Sequence, residues 1–307
     1  MLLPKFRSLK HLEKTFPDEQ SCIDYLEKVI WNGKPVCPFC SNSNSEIYKC
    51  KNNQYKCKNT GKSFNIKTGT IFKNSNLPLR EWFRASYLFS VNKKGISSYQ
   101  LSDFIDTTQK SAWFVLHRLR RGTDCLIFKT ALEGTVEIDE TFIGGKNKNR
   151  HRDKKVPQCQ GRSWKDKTPV LAMIEKRGNA ISRVVPNTQR KTLEPIIRTN
   201  VKEGSNVYTD EWKAYRGLSK WYNHEIVIHR IKQYVNGNAS TNSAESFNAC
   251  IKRGYNTYHW ISKKHVQRYV NEFTFRYNTR KYSVKDRFDL LLLSTVGKQI
   301  TYQQLIS

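Results

Sequence analysis

The stretch Thr241-Asn242-Ser243-Ala244-Glu245-Ser246-Phe247-Asn248-Ala249-Cys250-Ile251-Lys252-Arg253 opens on polar capping residues and then spaces Phe247 and Ile251 four apart, with Tyr255 a further four residues on. That interval is close to one helical turn, so the segment predicts an amphipathic α-helix starting near Asn242. Glu245 and Lys252 stand seven residues apart, about two turns, and leave the same edge of this helix, away from the Phe247/Ile251 stripe. One carboxylate and one ammonium therefore share a polar face. Asn242 followed three positions later by Glu245 is also a capping-box pattern. The helix by itself leaves both readings open, a cap or a functional carboxylate.

Charge narrows the choice of partner. Lys and Arg number 54 against 26 Asp and Glu, a net +28 spread along the whole chain. Such a field attracts polyanions, and the attraction weakens with salt, so nucleic acid is the expected partner. No basic amphipathic anchor stands out, and no apolar run approaches the ~18 residues needed to span a bilayer, which argues against a membrane. Met1 to Arg7 lacks the apolar core of a secretory signal. The expected location is the cytoplasm, in association with the nucleoid, or the nucleus in a eukaryotic host. With 307 residues, 37% of them hydrophobic, the chain has room for one large domain and one or two small ones. The divisions expected are 1–74, 75–130 and 131–307.

Four of the eight cysteines fall between positions 37 and 57, and clustering without a signal peptide points to metal and not to disulfides. Cys37-Pro38-Phe39-Cys40 is a knuckle, followed by strand-like Glu46 to Cys50, a turn at Lys51-Asn52-Asn53, and a returning strand Gln54 to Cys57. A thiolate-bearing hairpin opposite a knuckle suits tetrahedral Zn²⁺. The second knuckle is defective, because Thr60 stands where a ribbon would have its last Cys. Cys37, Cys40 and Cys57 are the candidate zinc ligands. Either Cys50 supplies the fourth by a change of register, or the hairpin holds without metal.

Between 75 and 130, Pro78 to Phe89 has helical apolar spacing, Ser97 to Ile105 is short and capped, and Asp106-Thr107-Thr108 makes a turn. A third helix carries Ala112, Val115, Leu116 and Leu119 and ends in Arg118-Leu119-Arg120-Arg121. Two short helices about a tight turn fit a helix-turn-helix DNA-binding module, with Gln109, Lys110 and Arg118 as its exposed reading side.

Thr135 to Ile143 alternates like a strand, with acidic side chains next to its apolar face. Gly144 to Lys167 is a basic loop. Two strands, Pro169 to Glu175 and Ala180 to Val185, flank the turn Arg177-Gly178-Asn179. A helix over Leu193 to Val201 leads to a strand Asn206 to Thr209 ending in Asp210-Glu211, and a further strand covers Glu225 to Ile228. Strands, helix, strand and helices describe an α/β layer on a mixed sheet. In such a sheet Asp139, Asp210 and Glu245 can meet at one point. Phosphodiester cleavage and strand transfer proceed by in-line displacement with no covalent chemistry from the protein, and two hard divalent ions held by a few carboxylates suffice. Glu140 and Glu211, adjacent to the aspartates, are the nearest alternatives. The run Leu290 to Leu293 predicts a buried helix.

Glu137-Ile138-Asp139-Glu140-Thr141, Tyr208-Thr209-Asp210-Glu211 and Asn242-x-x-Glu245-Ser246-Phe247 with Lys252-Arg253 resemble the DDE transposases of the ISXO-type bacterial insertion sequences, whose eukaryotic relatives are the Merlin transposons. Lys67 to Phe72, Lys167 to Val170, and the series Ser262, His265, Arg268 to Val270, Glu272, Phe273 and Phe275 to Asn278 resemble that family too. The resemblance implies an RNase H-like core, Asp139, Asp210 and Glu245 as a triad for Mg²⁺ or Mn²⁺, and Lys252 as a basic partner; Asn242 is a lesser candidate for the third position. It also implies an enzyme that binds an element's terminal inverted repeats, cleaves its 3′ ends and joins them to target DNA, working as at least a dimer. Lys146, Lys148, Arg150, Arg152, Arg253, His259 and Lys263 are the expected DNA contacts outside the helical module. Aromatic residues from Tyr255 to Trp260 and from His265 to Arg280 either stack on unpaired bases or pack the last helices, with Phe273 and Phe275 assigned to the core. A nuclease on the same core, or a noncatalytic DNA-binding regulator, is the competing reading.

Overall fold

The computed structural model describes residues 4–40, 45–157, 159, 163–227, 235–236 and 239–306; Arg162 of the basic loop and Ile228 lie outside them. The chain divides into two compact units, Met1–Asp124 with Lys281–Ser307, and Cys125–Arg280.

The first unit begins with α1 (Leu9–Thr15), whose first turn is capped by Ser8, and α2 (Glu19–Trp31), closed at its start by a reciprocal Asp18–Ser21 capping box. A hairpin follows, β1 (Ile47–Lys49) and β2 (Tyr55–Cys57), turned by Asn52 and Asn53 at φ 56° and 55°. Asparagine tolerates this left-handed backbone better than most residues. A short β3 (Ser63–Phe64) adds to β2. Trp31, Tyr55 and Phe64 pack edge to face or stacked and close a small core over the hairpin. Next come α3 (Leu79–Val91), α4 (Ser98–Phe104) with a Ser97–Gln100 capping box, and α5 (Gln109–Gly122) capped by Thr108. Asp106 makes the turn between α4 and α5 at φ 45°. The expected stripe of Ala112, Val115, Leu116 and Leu119 is buried.

In the second unit β4 (Thr135–Ile143), β5 (Thr168–Glu175), β6 (Ala180–Val184), α6 (Arg190–Asn200), β7 (Asn206–Thr209) and β8 (Asn223–Ile226) succeed one another. The sheet order is β6-β5-β4-β7-β8. Its first three strands are antiparallel, and β4, β7 and β8 are mutually parallel. A two-stranded ribbon, β9 (Val235–Asn236) with β10 (Ala239–Ser240), leads into α7 (Asn242–Thr257) and α8 (Val266–Asn278). One face of the sheet packs Ile138, Leu171 and Val207 against Leu193 and Ile197 of α6. The other packs Val170, Ala172 and Ile174 against Phe247 and Ile251 of α7 and Val270 and Phe273 of α8. A meander followed by two parallel strands, with helices on both faces, is the RNase H-like arrangement.

The chain then returns to the first unit. There α9 (Val284–Leu293) packs on α2 and α3, with Phe288 meeting Phe6 and Phe83, and α10 (Tyr302–Ile306) ends the described residues. The leucine run is only partly the buried helix expected of it: Leu291 and Leu292 are inside and Leu293 is exposed. Among the described residues no helix is long and apolar enough to cross a membrane.

Candidate active site

The parallel pairing of β4 with β7 sets Thr135 beside Asn206 and Glu137 beside Tyr208. Carried two residues further, that register puts Asp139 level with Asp210 on neighbouring strands, whose spacing is about 4.8 Å. A carboxylate oxygen from each, with one from Glu140, lies within 4.8 Å of the others. Asp210 is buried, and Asp139 and Glu140 are half-buried. Asp210 Oδ1 accepts from the Trp212 backbone N–H at 3.0 Å, which turns the chain sharply at the end of β7 and holds the carboxylate in the cavity. Asp139 Oδ1 accepts from the Glu140 N–H at 2.8 Å, and its Oδ2 accepts from Asn248 Nδ2 at 2.9 Å.

Glu245 enters the same cavity from α7, as do Asn248 and Lys252, while Lys146 and Lys167 approach from the segment joining β4 to β5. The space is about 470 Å³. Glu245 and Lys252 do share one helix edge, and that edge faces the aspartates. The capping box expected from Asn242 is not formed. Asn242 is the exposed first residue of α7, the N-cap is Thr241, and Thr241 Oγ1 donates to Glu245 Oε1 at 3.3 Å. Glu245 is thus left at the cavity. Of the two adjacent alternatives, Glu140 belongs to the acidic cluster, whereas Glu211 is exposed and lies outside it. Beneath the cluster Tyr215 is buried, and burial, reinforced by the nearby Glu140, Asp210 and Asp139 charges, pushes its phenol well above the ordinary range. A phenol so placed stays protonated.

Sequence reasoning passed over Glu137, Asn248 and Lys167 as site residues. The alternation that put Asp139 on the cavity side of β4 put Glu137 there as well, and Asn248 lies one turn beyond Glu245, so both could have been found from spacing.

The DNA-contact candidates separate by exposure. Lys110, Lys146, Lys148, Arg152, Arg253, His259 and Lys263 are exposed, and Arg150 is half-buried with Nη2 donating to the Asp166 carbonyl at 2.7 Å. His259 sits in the left-handed region at φ 56°. Gln109 is half-buried and donates to Ser98 Oγ at 2.8 Å, tying α5 to α4. Arg118 is not on an exposed reading side. It is 4% exposed, stacks over Phe114, and donates to the Ile71 carbonyl at 2.7 Å. Burial lowers its pKa. At the basic end of α5, Arg118 and Arg120 face inward beside the Val115/Leu119 stripe, whereas Arg121 is exposed. His265 and Arg276 lie in the core with Phe273 and Phe275, whereas Trp260 is 75% exposed.

In the first unit the Cys37, Cys40 and Cys57 sulfurs lie within 4.8 Å of one another. Hydrogen bonding from Thr60 lowers the Cys57 thiol to about 6. Burial raises that of Cys37. Cys50 is no fourth ligand: pairing of Ile47 with Cys57 leaves it three residues further along the hairpin, at the exposed turn and roughly 10 Å away at the rise of a strand. Three soft donors from a knuckle and a hairpin fit zinc, with Thr60 Oγ1 3.9 Å from Cys37 Sγ at the remaining corner.

The strand order and an acidic cavity where β7 ends beside the middle of its parallel neighbour β4 define an RNase H-like core of the DDE type. Residues 131–278 match the ISXO2-like transposase domain, and residues 17–62 match the transposase zinc-ribbon domain. An uncharacterized protein in transposable element ISH50 of Halobacterium salinarum is 29% identical over 275 residues, 86% of this chain and 92% of that protein. An uncharacterized transposase-like protein of Haemophilus influenzae is 32% identical over 108 residues, 35% of this chain and 86% of that one. The Mos1 strand transfer complex, a solved structure, overlaps 72% of this chain and 79% of its own at 14% identity, with a TM-score of 0.28. The chain belongs to the IS1595 family of DDE transposases.

Proposed function

We propose that the protein binds the terminal inverted repeats of its element, cleaves the 3′ ends and joins them to target DNA. The observation that carries this reading is the meeting of Asp139 and Asp210 within 4.8 Å, in a cavity that Glu245 and Lys252 also line. Oxygen donors of this kind fit hard divalent cations, and Asp139, Asp210 and Glu245 would hold Mg²⁺ or Mn²⁺. Ions bound there activate the attacking oxygen and stabilise the leaving one. The chain's own residues do the rest. Asn248 fixes one oxygen of Asp139, and the Trp212 N–H fixes one of Asp210. Lys252 offers a point charge to the scissile phosphate, with Lys146 beside it in the cavity. Lys148, Arg150, Arg152, Arg253, His259 and Lys263 follow the backbone, while the first turn of α5, with Gln109 and Lys110, reads the repeat. Cys37, Cys40 and Cys57 would hold a structural zinc under the hairpin. Two DNA ends call for two protomers, so the working form is at least a dimer, in the nucleoid or nucleus of its host.

The test uses duplexes carrying the inverted repeats that flank the coding region, incubated with the protein and Mg²⁺. New 3′-hydroxyl ends at the repeat tips, and joining of precleaved ends to a plasmid, are the expected products. Cleavage without joining would reduce the protein to a nuclease, and binding with neither product would make it a regulator. E245Q is expected to abolish cleavage, whereas E140Q, whose carboxylate faces Tyr215, retains measurable activity; the opposite order would assign Glu140 to the ions.

A further inference from the structure

We infer that Glu137, a buried residue outside the acidic cluster, is a positioning residue that sets the register of α7 along β4 and so delivers Glu245 to the ions. The inference rests on the transposase reading for its catalytic consequence, but its structural half stands by itself. Glu137 is 1% exposed. A carboxylate so deeply placed must be matched by donors, and this one accepts four hydrogen bonds. Oε2 receives the backbone N–H groups of Ser243 at 2.6 Å and Ala244 at 3.1 Å, and Oε1 receives the hydroxyls of Ser240 and Ser243, each at 3.2 Å.

These donors are the ones that an α-helix leaves orphaned at its start, and helices normally satisfy them with the N-cap side chain. Thr241, the N-cap of α7, gives no side-chain cap; its hydroxyl is turned to Glu245. The cap comes instead from a strand more than a hundred residues earlier. A local cap stabilises a helix wherever it goes, but a cap supplied by β4 stabilises α7 only in one place. The partial positive charge of the helix start favours the same contact.

A second bond fixes the axial position. Asn248 donates to Asp139, so β4 grips α7 at Glu137 and again two residues on. Two residues of strand span roughly 6.6 Å. The four to five residues of helix from Ser243 and Ala244 to Asn248 span about 6 to 7.5 Å. The two lengths agree, so helix and strand run side by side in step, and Glu245 falls between the two grips. Slippage of α7 by one residue would break both and swing Glu245 by about 100° around the helix axis.

The experiment compares three substitutions in the full chain. E137Q keeps the reach and the acceptor for the two backbone N–H groups, and its amide nitrogen can donate to the hydroxyls, which rotate to accept. E137D keeps the charge but is one methylene too short. E137A has neither. Hydrogen–deuterium exchange is followed over α7, and cleavage of repeat-end duplexes is followed at saturating DNA with Mg²⁺. E137A and E137D are expected to speed exchange at residues 243–248 while β5 stays protected, and to lower kcat about 10- to 100-fold with KM for DNA unchanged, as for other groups that orient metal ligands. E137Q is expected to restore both to within about fivefold of the parent, consistent with a role in geometry and not in charge. A purely structural residue would instead lower the yield of folded protein and leave kcat per folded molecule alone. The inference is overturned if E137A leaves α7 exchange and kcat unchanged, or if E137Q is as damaged as E137A. Should E137A not fold, E137D against E137Q decides by the same readouts. A parent chain that cleaves no DNA while the exchange pattern holds would sink the transposase reading and leave the positioning of α7 standing.

Discussion

Replacing Thr60 by cysteine tests the incomplete ribbon. Four ligands about 2.3 Å from a tetrahedral ion stand roughly 3.8 Å from one another. Cys40 Sγ and Cys57 Sγ are already 3.8 Å apart, and Thr60 Oγ1 is 3.9 Å from Cys37 Sγ, so the hydroxyl occupies the position of a fourth donor without its softness. Cysteine carries its sulfur on the same β-carbon branch, so T60C is expected to supply the missing thiolate with no change in the hairpin. Structural zinc sites bind with about 10 to 16 kcal/mol in all, or ~2.5 to 4 kcal/mol for each of four ligands. At about 1.4 kcal/mol per decade this predicts a gain of roughly 10²- to 10³-fold in zinc affinity. Competition against a chromophoric chelator at fixed pH measures the affinity, and the sulfur-to-metal absorption of a Co²⁺-loaded sample should rise by about a third as three thiolates become four. An unchanged affinity in T60C, or a parent chain that holds no zinc, would refute the assignment of Thr60 to the fourth corner.

Four further outcomes follow from the structure. His224 is half-buried beside Thr209, and that partial burial lowers its pKa from 6.5, so the unfolded chain binds a proton that the folded chain refuses; its stabilising effect is complete above pH 6.5 and is lost as pH falls through the lower folded value, and H224N should flatten the decline in melting temperature on acidification. A Cβ on Gly254 of α7 would stand 1.8 Å from the Phe273 ring of α8, itself 2% exposed, so G254A should lose about 1 to 3 kcal/mol to overpacking less ~1 kcal/mol of helix propensity, read as a lower melting temperature. K110A should weaken DNA binding and lower the salt slope by about one, whereas R118A should cost about 1 to 3 kcal/mol of stability through the lost bond to Ile71, seen by denaturant titration.

What could be read from the chain, and what could not, divides along physical lines. β4 and β7 were found at their observed ends because each is a short alternating run bounded by turn residues, and the start of α7 was found from its capping residues and its apolar stripe. α1, α2 and β3 were not anticipated. Their apolar faces are short, and they are held by contacts from elsewhere in the first unit, such as Phe16 against Tyr25 and Phe83, or Phe64 against Trp31. Arg118 was misplaced for a related reason: periodicity fixes which residues of a helix share a face, but the width of the buried face depends on how many neighbours surround it, and α5 is enclosed on more than its apolar stripe. The error at Cys50 came from register, since only the pairing of Ile47 with Cys57 tells which end of the hairpin holds the metal side. The approach of Asp139 to Asp210 was legible because parallel strands fix which residues stand level, and Glu245 lines the same cavity from α7 without joining their close cluster. Glu140 was not separable from Asp139 by position alone, since the two are adjacent in the middle of β4 and both reach the cavity.

The most direct test of the central claim is the location of the ions. Crystals of the chain soaked in Mn²⁺ and measured at its absorption edge should give anomalous density within about 2.2 Å of carboxylate oxygens of Asp139 and Asp210, with Glu245 turned toward it, and D210N should lose that density. Density at saturating Mn²⁺ that avoids this cavity, or that persists unchanged in D210N, would contradict the account.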